Sequence, residues 1–337
     1  KAFMLYKKAN EISGGDATII AQIASCYYDG IGTDKDTVKG LKMFREAAEY
    51  EEPTTQYLFA CKLRENNDPE CIEWFEKIYC KMNTLSAQSA YCIAIVYKEG
   101  IIIGYDQTKY LEYLWKAAEI GYKEAHNELL EIYNTNYLSD SEPNQIKEGI
   151  SFLEKLADTG SAEAAGKLAE LYISDEYGEK NVSKALEWTE AAVKNGNPEF
   201  ACKFNSKLEK IDDKIKCLEL AAQQNCLEAL QQLAVAYWYL EEIKDKDKAK
   251  FYCIQALELN DSSVLTFLRD IIGNSQEGKN EYCQIVENSA NSGCAAAIME
   301  MYNIYHNGYY ITKDETKAKK YLEKAAEAKY PSALRTK

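Results

Sequence analysis

Tyr27-Tyr28-Asp29-Gly30-Ile31-Gly32-Thr33-Asp34-Lys35-Asp36, followed by a segment that ends Glu46-Ala47-Ala48-Glu49, decides how this chain is read. The stretch joins two helix patterns through a glycine loop. Its spacing is a Tyr, a Gly three residues on, an Asp nine on and a Lys twelve on. Tyr27/Gly30/Asp36/Lys39 recurs as Tyr97/Gly100/Asp106/Lys109 and as Tyr305/Gly308/Asp314/Lys317.

Working outward, a period emerges. The expected ends of the second helices are Glu51, Met82, Gly121, Gly160, Gly196, Asn225, Asn260, Gly293 and Lys329. Eight residues before each lies an apolar residue: Met43, Trp74, Tyr113, Phe152, Trp188, Cys217, Tyr252, Ile285 and Tyr321. The spacing averages about 35 residues, the range of helical-repeat solenoids. Six of the nine ends are Gly or Asn, which tolerate the left-handed conformation that closes a helix. Pro53, Pro198 and Pro331 follow two residues after an end, where a first helical turn accepts proline. One helix stops and the next starts within a few residues.

Each new helix carries an i, i+4 apolar stripe. The pairs are Ile23/Tyr27, Phe59/Leu63, Ile93/Tyr97, Leu129/Tyr133, Leu168/Tyr172, Phe204/Leu208, Leu233/Tyr237, Leu268/Ile272 and Met301/Tyr305. The partner helices bring small pairs to the contact, such as Ala47-Ala48, Ala117-Ala118, Ala221-Ala222 and Ala325-Ala326. Residues 1–14 read as the second helix of a truncated repeat, and 15–337 as nine repeats in a single array. Soft points are expected at 83–85 and along the polar stretch 134–145.

The loop-and-alanine pattern resembles the SEL-1-like repeat (SLR), a relative of the tetratricopeptide (TPR) repeat with a longer loop between its helices. The likeness runs over essentially the whole chain, strongest in repeats 1, 3, 5 and 9; repeats 2, 6 and 8 lack the glycine loop. It implies an all-α fold, a right-handed α-α superhelical solenoid of about nine helix-turn-helix repeats. First helices would line the concave side and second helices the convex side.

Composition narrows the function. The net charge is −14, which disfavours nucleic-acid phosphates and anionic membranes. No apolar stretch approaches the roughly 18 residues of a membrane span, so no membrane insertion is expected. The start at Lys1, inside a helix pattern, suggests a fragment or a processed form. A cysteine-rich branch of the family staples each repeat with a disulfide three residues before and five after the helix end. Those positions hold no cysteine here; Cys26, Cys61, Cys92, Cys202 and Cys253 lie on helix patterns and read as buried free thiols, and reduced thiols favour a cytosolic or nuclear setting, with cytoplasmic the expectation.

Chemistry finds little purchase. His126 and His306 are the only histidines, without a Cys-x-x-Cys companion, so neither a zinc site nor a Cys–His nucleophile is expected. Gly30-Ile31-Gly32 lies between helices rather than between strand and helix, which argues against a phosphate cradle. Glu124, Glu163, Glu199 and Glu228 recur at one slot; each sits in a first turn, where it offsets the helix dipole. No catalytic residue, metal or cofactor is expected.

The expected function is a non-enzymatic scaffold or adaptor. Analogy with tetratricopeptide arrays places concave-groove positions two residues before the first stripe residue, two after it, and one after the second. Partner-binding candidates there are Tyr28, Tyr57, Tyr91, Asn127, Glu131, Glu170, Gln231 and Trp238. The expected partner is a protein or peptide, basic sequences included. The alternative is a targeting or regulatory repeat arm of a larger enzyme such as a kinase.

Overall fold

The computed structural model describes residues 2–137, 143–174 and 180–327. Its backbone explains the period. All eight described second-helix ends have positive φ: Gly121, Gly160, Gly196, Gly293, Asn225 and Asn260, but also Glu51 at 61° and Met82 at 48°. Lys329 and Pro331 lie outside the described residues. At the glycine and asparagine ends the chain closes two successive hydrogen bonds. Gly121 N–H reaches Ala118 O and Tyr122 N–H reaches Ala117 O, and the same two steps recur at 160, 196, 225, 260 and 293. Where Glu and Met hold that conformation, at roughly 1 kcal/mol each, side chains from the next helix take the exposed carbonyls. Thr55 Oγ1 donates to Ala47 O at 3.2 Å and Gln56 Nε2 to Ala48 O at 3.2 Å. Ser86 Oγ donates to Ile78 O at 3.1 Å. These polar side chains are buried because they cap.

Nineteen α-helices result among the described residues, with no strand. They divide into two compact units, residues 1–164 and 165–337, the division falling within α10. Unit 1 holds α1 (Ala2–Ser13), α2 (Ala17–Asp29), α3 (Thr37–Ala48), α4 (Pro53–Glu65), α5 (Glu70–Cys80), α6 (Ser86–Glu99), α7 (Gln107–Glu119), α8 (Lys123–Tyr137) and α9 (Pro143–Asp158). From α10 (Ala162–Ile173) onward, unit 2 holds α11 (Val182–Lys194), α12 (Pro198–Phe204), α13 (Ile211–Ala222), α14 (Leu227–Tyr239), α15 (Lys246–Glu258), α16 (Val264–Ile272), α17 (Gln276–Asn291), α18 (Ala295–Asn307) and α19 (Glu315–Glu327). In each unit consecutive helices pack as pairs, as in an α-solenoid. The alanine pairs sit at those contacts: Ala47, Ala48, Ala117, Ala118, Ala221 and Ala325 have no exposed surface.

The Tyr–Gly–Asp–Lys spacing is one structural device. The tyrosine carbonyl accepts from the aspartate N–H (Asp36 to Tyr27, Asp106 to Tyr97, Asp314 to Tyr305). The aspartate caps the next helix, accepting from the lysine N–H at 2.9–3.0 Å. The lysine ammonium then folds back over the tyrosine ring, 4.0 Å from its centre at Lys39 and 5.0 Å at Lys109 and Lys317. Asn181/Lys184 on Tyr172 and Asp245/Lys248 on Tyr237 repeat the device. Asp106→Ala is expected to cost about 1 kcal/mol. Asp106→Asn should cost little, because Asn181 makes the same 3.0 Å bond. Urea midpoints, with hydrogen exchange in the first turn of α7, read this out.

Three expectations need correction. Tyr27 was assigned to the core and Tyr28 to the open face, but Tyr28 is buried and Tyr27 only half-buried. Lys62 of α4 and Asn66, which caps its end, cover Tyr28: the ammonium lies 4.5 Å from the ring centre, and Asn66 Nδ2 donates to Tyr28 Oη at 2.6 Å. Residues 134–137 of the expected soft stretch belong to α8 and 143–145 to α9, while 138–142 lie outside the described residues. Leu208 is buried as the stripe requires, but it lies beyond the end of α12.

Candidate functional site

The site begins with that short helix. α12 has 7 residues, fewer than any other first helix. Asn197 caps its start and Pro198 opens its first turn. Asn205 and Ser206, poor helix formers, then tighten the chain into a 3-10 turn over Asn205–Lys207. Ser206 Oγ donates to Lys203 O at 2.8 Å, and Leu208 turns extended.

Beside this turn, between α13 and α14, lies an open cavity of about 390 Å³. Ile211, Ile215 and Leu218 line it from one row of α13; Val235, Tyr239 and Leu240 line it from α14 and its end. Val235 is 47% exposed and Tyr239 63%, although Tyr239 stacks on Phe267 at 6.0 Å. Apolar surface gathered into one concavity in this way marks a binding site. The polar lining is already engaged. Asn205 Nδ2 donates to Gln232 Oε1 at 3.2 Å and Gln232 Nε2 to Glu228 Oε1 at 3.1 Å. Gln231 Nε2 donates to Asp261 Oδ2 at 2.7 Å. Lys214, in the same row as Ile211 and Ile215, is the one charged side chain of the lining.

The expected site residues scatter around this picture. Gln231 lines the cavity, and Trp238 is half-buried against the core of unit 2. Glu170 is exposed and pairs with Lys207 at 2.7 Å. In unit 1, Asn127 and Glu131 are exposed. Tyr57 and Tyr91, expected as free aromatic anchors, are half-buried and engaged. The Tyr57 ring packs edge-on to Phe75 and its hydroxyl meets Cys92 Sγ at 3.4 Å. Tyr91 Oη donates to Glu128 at 2.9 Å. Val235 was missed: it stands two residues after Leu233, where most other repeats hold polar residues such as Glu131, Glu170, Asp270 and Asn303, but Ile95 shows that an apolar residue there is not by itself a signal.

Glu128 was also missed. It is a buried carboxylate in unit 1 that accepts from Tyr91 Oη, from Tyr110 Oη at 2.8 Å and from Lys98 Nζ. Burial pushes its pKa up, but these donors outweigh it and hold the group below the ordinary carboxylate value. His126 stands five residues after its helix end, as Gln56 does, and does the same work: its Nε2 lies 3.0 Å from Ala118 O and 3.0 Å from Thr159 Oγ1. Desolvation lowers its pKa, which favours the neutral ring. His306 pairs with Glu315 at 3.2 Å. Burial raises the thiols of Cys217 and Cys253 to about 12, which leaves these two unreactive near neutrality. Among the described residues no group of three His, Cys, Asp or Glu side chains is placed to hold a metal ion. No helix there is long and apolar enough to cross a membrane. Glu124, Glu163, Glu199 and Glu228 all occupy first helical turns.

Comparison with known proteins follows the same repeats. The Sel1 repeat family model matches residues 20–49, 162–197, 227–261 and 301–330, which begin in α2, α10, α14 and α18. The chitin synthase regulator SKT5 of Saccharomyces cerevisiae is 23% identical over 211 residues, covering 59% of this chain and 30% of the yeast protein. The chain therefore spans under a third of that relative's length. A Sel1 repeat protein from Oxalobacter formigenes aligns over 99% of this chain and 89% of its own, at 19% identity and a TM-score of 0.40. A protective antigen of uropathogenic Escherichia coli strains, displaying an SLR fold, aligns over 98% and 80% at 18% identity and a TM-score of 0.33. Sel1 repeats are thus matched at four positions along the chain.

Proposed function

We propose that this chain is a non-enzymatic protein-interaction scaffold that holds a peptide or helix of a partner on its first-helix faces. The observation that carries the reading is the cavity between α13 and α14, where Val235 and Tyr239 expose apolar surface on a chain of net charge −14. Exposed aromatic and aliphatic side chains in a concavity are what a partner's anchor residues bury. Within unit 2 Glu170 would add a polar contact, Asn127 and Glu131 would serve separately on unit 1, and the acidic surface suits a partner with basic residues. The buried thiols fit a reducing, cytoplasmic setting. Affinity capture with mass spectrometry tests the reading. Partners recovered by the unaltered chain should be lost with Val235→Asp, a half-exposed position whose change leaves helicity intact by circular dichroism. Identical recovery by both proteins would remove the pocket from the site.

A second reading is favoured by the yeast relative, whose name is that of an enzyme regulator. Here the repeats form the regulatory arm of a larger assembly. A purified chitin synthase whose rate does not change on adding this chain would count against that enzyme as the target.

A further inference from the structure

The lining of the α13–α14 cavity says more about its occupant than that it is apolar. An extended peptide brings unpaired backbone N–H and C=O groups into any groove it enters, and each one buried without a partner weakens binding. This cavity has few polar groups to offer them, too few to follow an extended backbone. The amide nitrogens of Asn205, Gln231 and Gln232 already donate within the protein. Among the acceptors, Asn205 Oδ1 is sealed from solvent, which leaves Gln231 Oε1 and the Tyr239 hydroxyl. No open sheet edge exists among the described residues. A segment whose backbone is satisfied internally, a helix, avoids the penalty. The space suits it, because α12 stops after 7 residues beside this cavity. Charge adds a second feature. Lys214 stands in the same row as Ile211 and Ile215, is half-exposed, and takes part in none of the ion pairs among the described residues. A cation at the rim of an apolar slot pairs best with a carboxylate placed beside an apolar stripe.

We infer that the cavity takes an amphipathic helix of a protein partner, its apolar stripe on Ile215, Val235 and Tyr239 and a carboxylate next to that stripe on Lys214. This rests on the cavity being a protein-docking site. Basic residues on the outer face of such a helix meet the acidic surface of the chain around it.

The test is selection of random 16-residue peptides displayed on phage against the whole chain, with Val235→Asp and Tyr239→Lys as counter-selections. Peptides enriched only on the unaltered chain should show apolar residues at i, i+3, i+4 and i+7 with an adjacent Asp or Glu. The strongest, synthesised with a fluorophore, should bind about tenfold more weakly to Lys214→Glu and recover when its acidic residue is exchanged for Lys. A central proline should abolish binding. Cavity-dependent peptides that are proline-rich, unpatterned or indifferent to Lys214 would overturn the helix and leave the docking site standing. An absence of any peptide sensitive to Val235→Asp would remove the docking site and the helix together. A concentration-dependent dimer in sedimentation, dissolved by Val235→Asp, would assign the cavity to a second copy and also overturn the proposal.

Discussion

Glu128→Ala should lower the stability of unit 1 by about 3 kcal/mol, because it strips a partner from three donors at once. Tyr91 Oη, Tyr110 Oη and Lys98 Nζ converge on this carboxylate from α6 and α7. Lys98 is half-exposed and can turn to water, so the loss falls mainly on the two hydroxyls. Tyr110 is 7% exposed and has no such escape. Glu128→Gln keeps one acceptor oxygen and should cost about 1 kcal/mol less. The pH dependence has a definite sign. The folded-state pKa of Glu128 is depressed, so its contribution is fully present above the unfolded value of about 4.3 and fades as pH falls through the lower folded value. Urea titrations at pH 7 and in that acid window, with hydrogen exchange along residues 91–128, should show the difference between the unaltered chain and the Glu128→Ala variant shrinking in acid. A pH-independent difference would mean that the carboxylate's charge plays no part.

Gly100→Ala should rival that effect, at about 3 kcal/mol, while Gly104→Ala, four residues away, should cost only about 1. Both glycines have positive φ, 66° and 83°. They differ in what a methyl group would meet. At Gly100 a Cβ would lie 2.6 Å from Tyr105 N and 3.0 Å from its Cα, backbone atoms that cannot step aside. At Gly104 nothing stands within 4 Å. The clash falls on the loop that brings Asp106 N–H to Tyr97 O, so relief by movement would loosen the start of α7. Thermal and urea melts of the two variants check the contrast. Equal losses at both sites would show that backbone conformation alone sets the cost.

These two cases divide the legible from the illegible. Gly100 was visible in sequence, since its neighbours in space are its neighbours in the chain. Glu128 was not: its donors are 37, 30 and 18 residues away. His126 was visible as a residue but not as a cap, because the carbonyl it serves belongs to the preceding helix.

The sequence by itself determined the repeat: where the described second helices end, that the six glycine and asparagine ends turn left-handed, which stripes are apolar, and where the alanine pairs meet. Those features are written within about 35 residues, because caps, loops and i, i+4 stripes act locally. Tertiary structure alone decided which surfaces stay open. Tyr28 lost its expected exposure to Lys62 and Asn66, Tyr57 and Tyr91 were engaged by the next repeat, and the early end of α12 left the slot where Val235 and Tyr239 meet solvent. Exposure depends on what the neighbouring repeat places opposite a side chain, and that is a matter of packing between segments a full period apart.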